Sequence, residues 1–208
     1  LQMGHPWEMH RPELAFSVHF GGRVEGDPAG ACRWLDTHTI LGTAYDVPIA
    51  GYRCDTVNTL RLWSARSAGE FDFEDFSQGD YAAAVEHKVD AEKLTKVLYP
   101  DDRVYAGREL RFRQQYFLVS CTLQDILRRH KNSGNPLDQL SDKAAIQLND
   151  TPPALAIVEL LRLLIDQEGL AFEEAWLITR ECTGYTNHTL LPEALETWPL
   201  DMFERLLP

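Results

Sequence analysis

Two short polar clusters are the candidate chemistry of this sequence: Asp150-Thr151 and Asn187-His188-Thr189. The first offers a carboxylate and a hydroxyl ahead of a helical segment, suited either to capping that helix or to hydrogen-bonding a polar ligand. The second sets an amide, an imidazole and a hydroxyl at consecutive positions, donors and acceptors on short or rigid side chains. That combination suits a sugar, whose hydroxyls both give and accept hydrogen bonds. A loop satisfying its own backbone has the same composition. Glu193 and Glu196 follow at i, i+3, where carboxylates favour a helix start and its dipole. A carboxylate pair drawn from Asp150 and one of these glutamates would alternatively serve a glycoside hydrolase.

Other chemistries find no motif. There is no G-x-S-x-G, P-loop or G-x-G-x-x-G pattern, and Gly21-Gly22 and Gly26 read as hairpin residues. Cys32, Cys54, Cys121 and Cys182 form no C-x-x-C pair and read as reduced thiols, neither a disulfide framework nor a zinc site. His5 and His10 are five apart and do not share a helix face, so no metal site is expected.

The elements that must position these residues change character along the chain. Phe16–Glu25 and Ala31–Asp36 flank the turn formers Gly26-Asp27-Pro28-Ala29-Gly30, which predicts a hairpin. Strand-like runs follow at Thr39–Tyr45, Pro48–Arg53 and Asn58–Ala65, an antiparallel meander. Short helices are expected at Asp80–His87 and Ala91–Leu98. Phe112, Tyr116, Val119, Leu123, Ile126 and Leu127 give Gly107–Lys131 a helical period, ended by cations and Asn132-Ser133-Gly134-Asn135-Pro136. A short strand at Ala144–Leu148 leads to a helix over Ala154–Gln167, apolar on nearly every side and closed by Gly169. Phe172–Cys182 predicts another helix, Thr183–Thr186 a strand, and Pro192 opens a last helix. Strand, helix, helix, strand is the crossover unit of a parallel sheet. Asp150 and His188 therefore fall past the carboxyl ends of two strands, the edge where open α/β sheets bind ligands.

The chain has 208 residues, 44% apolar and 25% charged, ordinary globular values. Its formal net charge of −12 repels polyanions, which argues against nucleic acid and anionic membranes as partners. Hydrophobic runs are short and interrupted by charge, so no membrane span is expected. Leu1–Trp7 has neither a basic start nor an apolar run, so no signal peptide is expected and a cytoplasmic location is inferred.

Several motifs resemble the α-glucan (glycogen or maltodextrin) phosphorylases. They are Ile146–Thr151, Tyr185–Trp198, Tyr52-Arg53 with Asn58–Ser64, Glu92–Pro100, Pro6-Trp7-Glu8 with Arg11-Pro12-Glu13, and Asp142–Ala156. The similarity runs from end to end, in order. It implies an α/β fold: an incomplete part of that family's N-terminal domain, with 1–68 mainly β and 69–208 α/β. The implied reaction is phosphorolysis of a terminal α-1,4-glucosidic bond to glucose 1-phosphate, with pyridoxal phosphate as cofactor and a homo-oligomeric parent. By the resemblance His188 meets the 6-hydroxyl of the glucosyl unit and Asp150 matches a polar loop residue near the sugar. Asn187, Thr189 and Thr151, from their own chemistry, are the further candidate residues of the sugar site. Asp102 falls in the loop that gates it, and Arg128 and Arg129 match paired arginines that bind a regulatory nucleotide phosphate.

No catalytic residue of the family falls in this stretch. The cofactor lysine, the glycine-rich phosphate loop and the second domain have no counterpart, so the chain alone is expected to be inactive. Two departures stand out: Pro152 replaces a histidine of the family pattern, and Arg103 replaces a neutral residue of the gating loop. The alternative expectation is a non-catalytic phosphorylase-like remnant serving as an interaction or oligomerisation module.

Overall fold

The computed structural model describes residues 7–26, 32–68 and 81–208, the side chains of 81–87 and of Glu193 excepted. The expected turn over 27–30, and with it His5 and Asp80, lies outside the described residues. The described strands are β1 (Met9–Phe20), β2 (Arg23–Gly26), β3 (Cys32–Leu35), β4 (His38–Ala50), β5 (Val57–Ser67), β6 (Ile146–Asn149) and β7 (Thr183–Thr186). The described α-helices are α1 (Tyr81–Lys96), α2 (Tyr105–Asn132), α3 (Leu140–Lys143), α4 (Ala156–Arg162), α5 (Phe172–Cys182) and α6 (Leu200–Leu206). Antiparallel and parallel pairing both occur, the mixed α/β architecture expected. The chain divides into two units, one of Leu1–His19 with Thr39–Gln114, the other of Phe20–His38 with Gln115–Pro208.

The first unit holds a three-stranded sheet in the order β1-β4-β5. β4 and β5 run antiparallel from Ile40↔Ser67 to Ala50↔Val57. Alternation along these strands buries Val18, Ile40, Ala44, Trp63 and Ala65. Helix α1 covers β5 with Ala91 and Leu94, and the Ala65 N–H donates to Thr95 Oγ1 at 3.0 Å. Asp46, almost fully buried, accepts both Nε and Nη2 of Arg61 at 2.7 and 2.8 Å. Two sequence expectations are corrected here. The runs Thr39–Tyr45 and Pro48–Arg53 form one strand ending at Ala50, because the residue before a proline prefers extended backbone and Pro48 does not break it. The turn 51–56 then includes Arg53 at φ 51°, closed by the Gly51 N–H on Thr56 O at 2.9 Å. The two expected short helices are one, since nothing between His87 and Ala91 stops a helix.

In the second unit β2 and β3 pair antiparallel, Arg23↔Leu35 to Gly26↔Cys32, as the hairpin reading predicts. The expected single strand Phe16–Glu25 is broken by Gly21 and Gly22, whose φ of 64° and 79° other residues rarely adopt. Helix α2 supplies Val119, Leu123 and Leu127 to a core completed by Leu140, Leu148, Leu160, Leu163, Leu164 and Ile178. Each such side chain contributes about 1.5–3 kcal/mol by leaving water. The helical stretch after β6 changes pitch: a 3-10 turn over Pro152–Leu155, α4, then a π turn over Leu163–Gln167. Gly169 at φ 74° ends it as expected. Val158 is exposed, so one side of this apolar helix does face solvent.

The helix expected from Pro192 is only a 3-10 turn, Pro192–Ala194. Pro199 disfavours helical backbone at Trp198, so helix formation resumes only at α6. Cys32 and Cys54 are exposed free thiols, Cys121 and Cys182 buried ones. No helix among the described residues is long and apolar enough to cross a membrane, and none of them group as a metal-binding cluster.

Candidate functional site

The site is built where β6 and β7 end. The two strands pair in parallel from Ile146↔Thr183 to Asn149↔Thr186, so both chains leave the pair at one edge. Asp150 follows β6 directly, and its N–H donates to Thr186 O at 2.9 Å, continuing the ladder by one bond. Its φ is 63°, a left-handed conformation that aspartate tolerates better than most residues. Thr151 then takes helical torsions, φ −70° and ψ −32°, although it precedes a proline.

Asp150 and His188 are brought together. Asp150 Oδ1 accepts from the His188 backbone N–H at 2.8 Å and lies 3.2 Å from ring Nδ1. The His188 N–H, then its ring nitrogen, holds the Asp150 carboxyl below the usual carboxylate range. The interaction is therefore present above the ordinary aspartate pKa and is lost as pH falls through the lowered one. The imidazole is about half exposed, and with Nδ1 turned to Asp150, Nε2 is the ring nitrogen open to a hydroxyl partner.

The expected cap is corrected. Thr151 stands at the N-cap position without a side-chain capping bond. Its hydroxyl reaches instead to Ala194 O at 3.3 Å and Glu196 Oε2 at 3.2 Å. Asn187 and Thr189 serve their own loop. Asn187 Nδ2 donates to Thr189 O at 2.7 Å, and Thr189 Oγ1 accepts the Leu191 N–H at 3.1 Å. These bonds shape the loop that carries His188.

Asp102 belongs to the first unit, 3.8 Å from Arg111 Nη1. Arg103 folds back on Asp101, with Nε on Oδ1 at 2.9 Å and Nη2 on Oδ2 at 2.5 Å. Hydrogen bonds from Arg103 lower the Asp101 pKa. Arg128 Nη2 and Arg129 Nε meet the buried Asp125 carboxylate at 2.8 and 3.2 Å. These two cations at the end of α2 thus have a local counter-charge.

Three side-chain roles are not visible in the local sequence, those of Glu196, Gln115 and Glu159. Glu196 is not in a helix start; it accepts from Gln115 Nε2 at 2.8 Å as well as from Thr151. Gln115 lies on α2, 81 positions away, and no local pattern could have paired them. Glu159 is the third. It is 1% exposed and accepts from Tyr116 Oη at 2.8 Å, Ser120 Oγ at 2.6 Å, and Arg162 Nε and Nη2 at 2.7 and 2.8 Å. A Glu-x-x-Arg pair in an apolar helix was the available signal. Burial, then the Glu159 charge, pushes the Tyr116 hydroxyl well above the ordinary phenol range, so it remains a donor.

A pyridoxal cofactor would need a lysine desolvated enough to lose its proton. The chain has five lysines, Lys88, Lys93, Lys96, Lys131 and Lys143, and all are exposed. Lys88, Lys93 and Lys131 lie within ion-pair distance of Glu92, Asp90 and Glu168. The residues of this chain do not fit covalent attachment of that group.

Comparison with known proteins gives one consistent result. The family described as Carbohydrate phosphorylase matches residues 1–208. Similar proteins include glycogen phosphorylase, brain form, of Bos taurus, 52% identical over 216 residues and covering 100% of this chain. The brain form of Homo sapiens and the muscle form of Ovis aries are each 51% identical with the same coverage. This chain spans 26% of the length of each of these relatives.

Proposed function

The chain belongs to the carbohydrate phosphorylase family, and from that premise we propose that it is a segment of a glycogen or maltodextrin phosphorylase that supplies part of the glucosyl site. The parent reaction in this proposal is phosphorolysis of a terminal α-1,4-glucosidic bond, with α-1,4-glucan and phosphate as substrates, in a cytoplasmic homo-oligomer. Both units belong to one N-terminal domain in this reading. The observation that carries it is the meeting of Asp150 and His188 where β6 and β7 end. A carboxylate acceptor and an imidazole on adjacent loops match the donor and acceptor pattern of a sugar's hydroxyls. Thr151 belongs to the same edge, and Asn187 and Thr189 keep the His188 loop in shape.

Asp102, in this proposal, belongs to the loop that gates the site, and Arg128 and Arg129 to a nucleotide-phosphate site completed elsewhere. Pyridoxal phosphate, which would supply phosphate acid–base chemistry in the parent, is held by residues outside this chain. Two measurements test the proposal. Maltoheptaose titrated into the labelled chain is expected to shift the His188 and Asp150 amide resonances, and His188→Ala to weaken binding about tenfold, the worth of one good hydrogen bond to a polar partner. Unshifted resonances at saturating sugar count against the site. The chain incubated with pyridoxal phosphate, maltodextrin and phosphate is expected to form no glucose 1-phosphate above background. Product formation would overturn the predicted inactivity.

A further inference from the structure

We propose that Glu196 is a positioning residue for the sugar site, acting through Thr151. The inference rests on reading Asp150 and His188 as sugar-binding groups. Asp150 holds a left-handed φ of 63°, a backbone state that costs free energy in a residue other than glycine. Such a state persists only where its surroundings over-determine it. The Thr151 hydroxyl has one proton and two acceptors within reach, Glu196 Oε2 and Ala194 O. Of the two, the carboxylate oxygen is the closer and the stronger acceptor.

That same oxygen receives Gln115 Nε2 at 2.8 Å. Gln115 is part of the 28-residue helix α2, a stiff support. Glu196 therefore ties the turn after β6 to α2 through two hydrogen bonds on one atom. Asp150 is the neighbour of Thr151, and Asp150 Oδ1 in turn holds the His188 N–H. Releasing Thr151 frees the torsions that aim the Asp150 carboxylate, and displacements of about 1 Å are enough to weaken a binding constellation.

The test is amide hydrogen exchange on the full chain, read at Asp150 and His188, with Leu160 in α4 as a distant reference. Glu196→Leu is expected to speed exchange at Asp150 and His188 about tenfold or more while Leu160 is unchanged. Glu196→Gln keeps a carbonyl oxygen where Oε2 stands, and is expected to restore most of the protection. Thr151→Val should match Glu196→Leu, Thr151→Ser should resemble the parent chain, and the Val/Leu double variant should be no worse than either alone. Unchanged exchange at Asp150 and His188, or uniform acceleration that includes Leu160, overturns the assignment. Maltoheptaose binding separates the two levels. A parent chain that does not bind overturns the sugar-site reading and the anchor with it, whereas binding unaltered in Glu196→Leu overturns the anchor alone.

Discussion

Glu159→Ala is expected to cost about 3–5 kcal/mol, the range for removing one partner of a buried ion pair. The carboxylate is 1% exposed and takes four hydrogen bonds, two from Arg162 and one each from Tyr116 and Ser120. Truncation leaves the partly buried Arg162 guanidinium and the fully buried Tyr116 and Ser120 hydroxyls without their acceptor. Arg162 also lies over the Trp34 ring, its Cζ 5.5 Å from the ring centroid, which restricts how it can turn to water. Glu159→Gln should cost less, because one carbonyl oxygen still accepts. Glu159→Leu combined with Arg162→Met should recover only the part of the loss due to the unpaired guanidinium, because the buried Tyr116 and Ser120 hydroxyls still lack their acceptor. Urea denaturation followed by far-ultraviolet circular dichroism reads the difference. A midpoint for Glu159→Ala equal to that of the parent chain would show that the network contributes nothing to stability.

Gly107→Ala reverses a familiar sign. In an open helix the change gains about 0.8–1 kcal/mol from propensity. Here a Cβ at residue 107 would fall inside the contact distance of the Asp101 carbonyl oxygen and carbon, both backbone atoms. The turn over 101–104 cannot withdraw without disturbing its own bonds. The Gly107 and Arg108 N–H groups both donate to Val104 O at 3.1 Å, and the Arg103 N–H to Asp101 Oδ1 at 3.1 Å. Overpacking of this kind costs typically about 1–3 kcal/mol, which outweighs the propensity gain. The variant is therefore expected to melt below the parent chain, with faster amide exchange over 101–104. A melting temperature above the parent's would sink the prediction.

The crossover from β6 to β7 was legible because its signals are local: an apolar strand, an Asn-Asp-Thr-Pro-Pro turn, two helical periods and a second strand. The shared edge of Asp150 and His188 followed from topology, since parallel strands end together, while the bond between them did not. The long helix α2 was legible from its 3.6-residue period, within two residues at its start. Boundaries failed where one residue has two meanings. Pro48 lies inside a strand, and Pro192 opens a turn that Pro199 prevents from growing into a helix. Side-chain roles failed where the partner is remote. Glu196 reads locally as a helix-start carboxylate or one of a hydrolase pair, whereas its donors lie on Thr151 and Gln115, 45 and 81 positions away. The capping role open to Asp150 or Thr151 is not taken by the Thr151 hydroxyl. Hydrogen bonds between elements depend on packing, which local composition does not encode.

The distribution of sulfur makes the chain its own reporter. Cys54 lies in the β4–β5 turn of the first unit and Cys32 on β3 of the second, both at the surface. Cys121 and Cys182 are sealed within the second unit, where burial pushes the Cys121 thiol far up and that of Cys182 to about 11. Alkylation depends on thiolate and access, so the four positions separate in time. A fast pair carries a label into each unit without touching the folded interior, and the slow pair counts openings of the second unit's core.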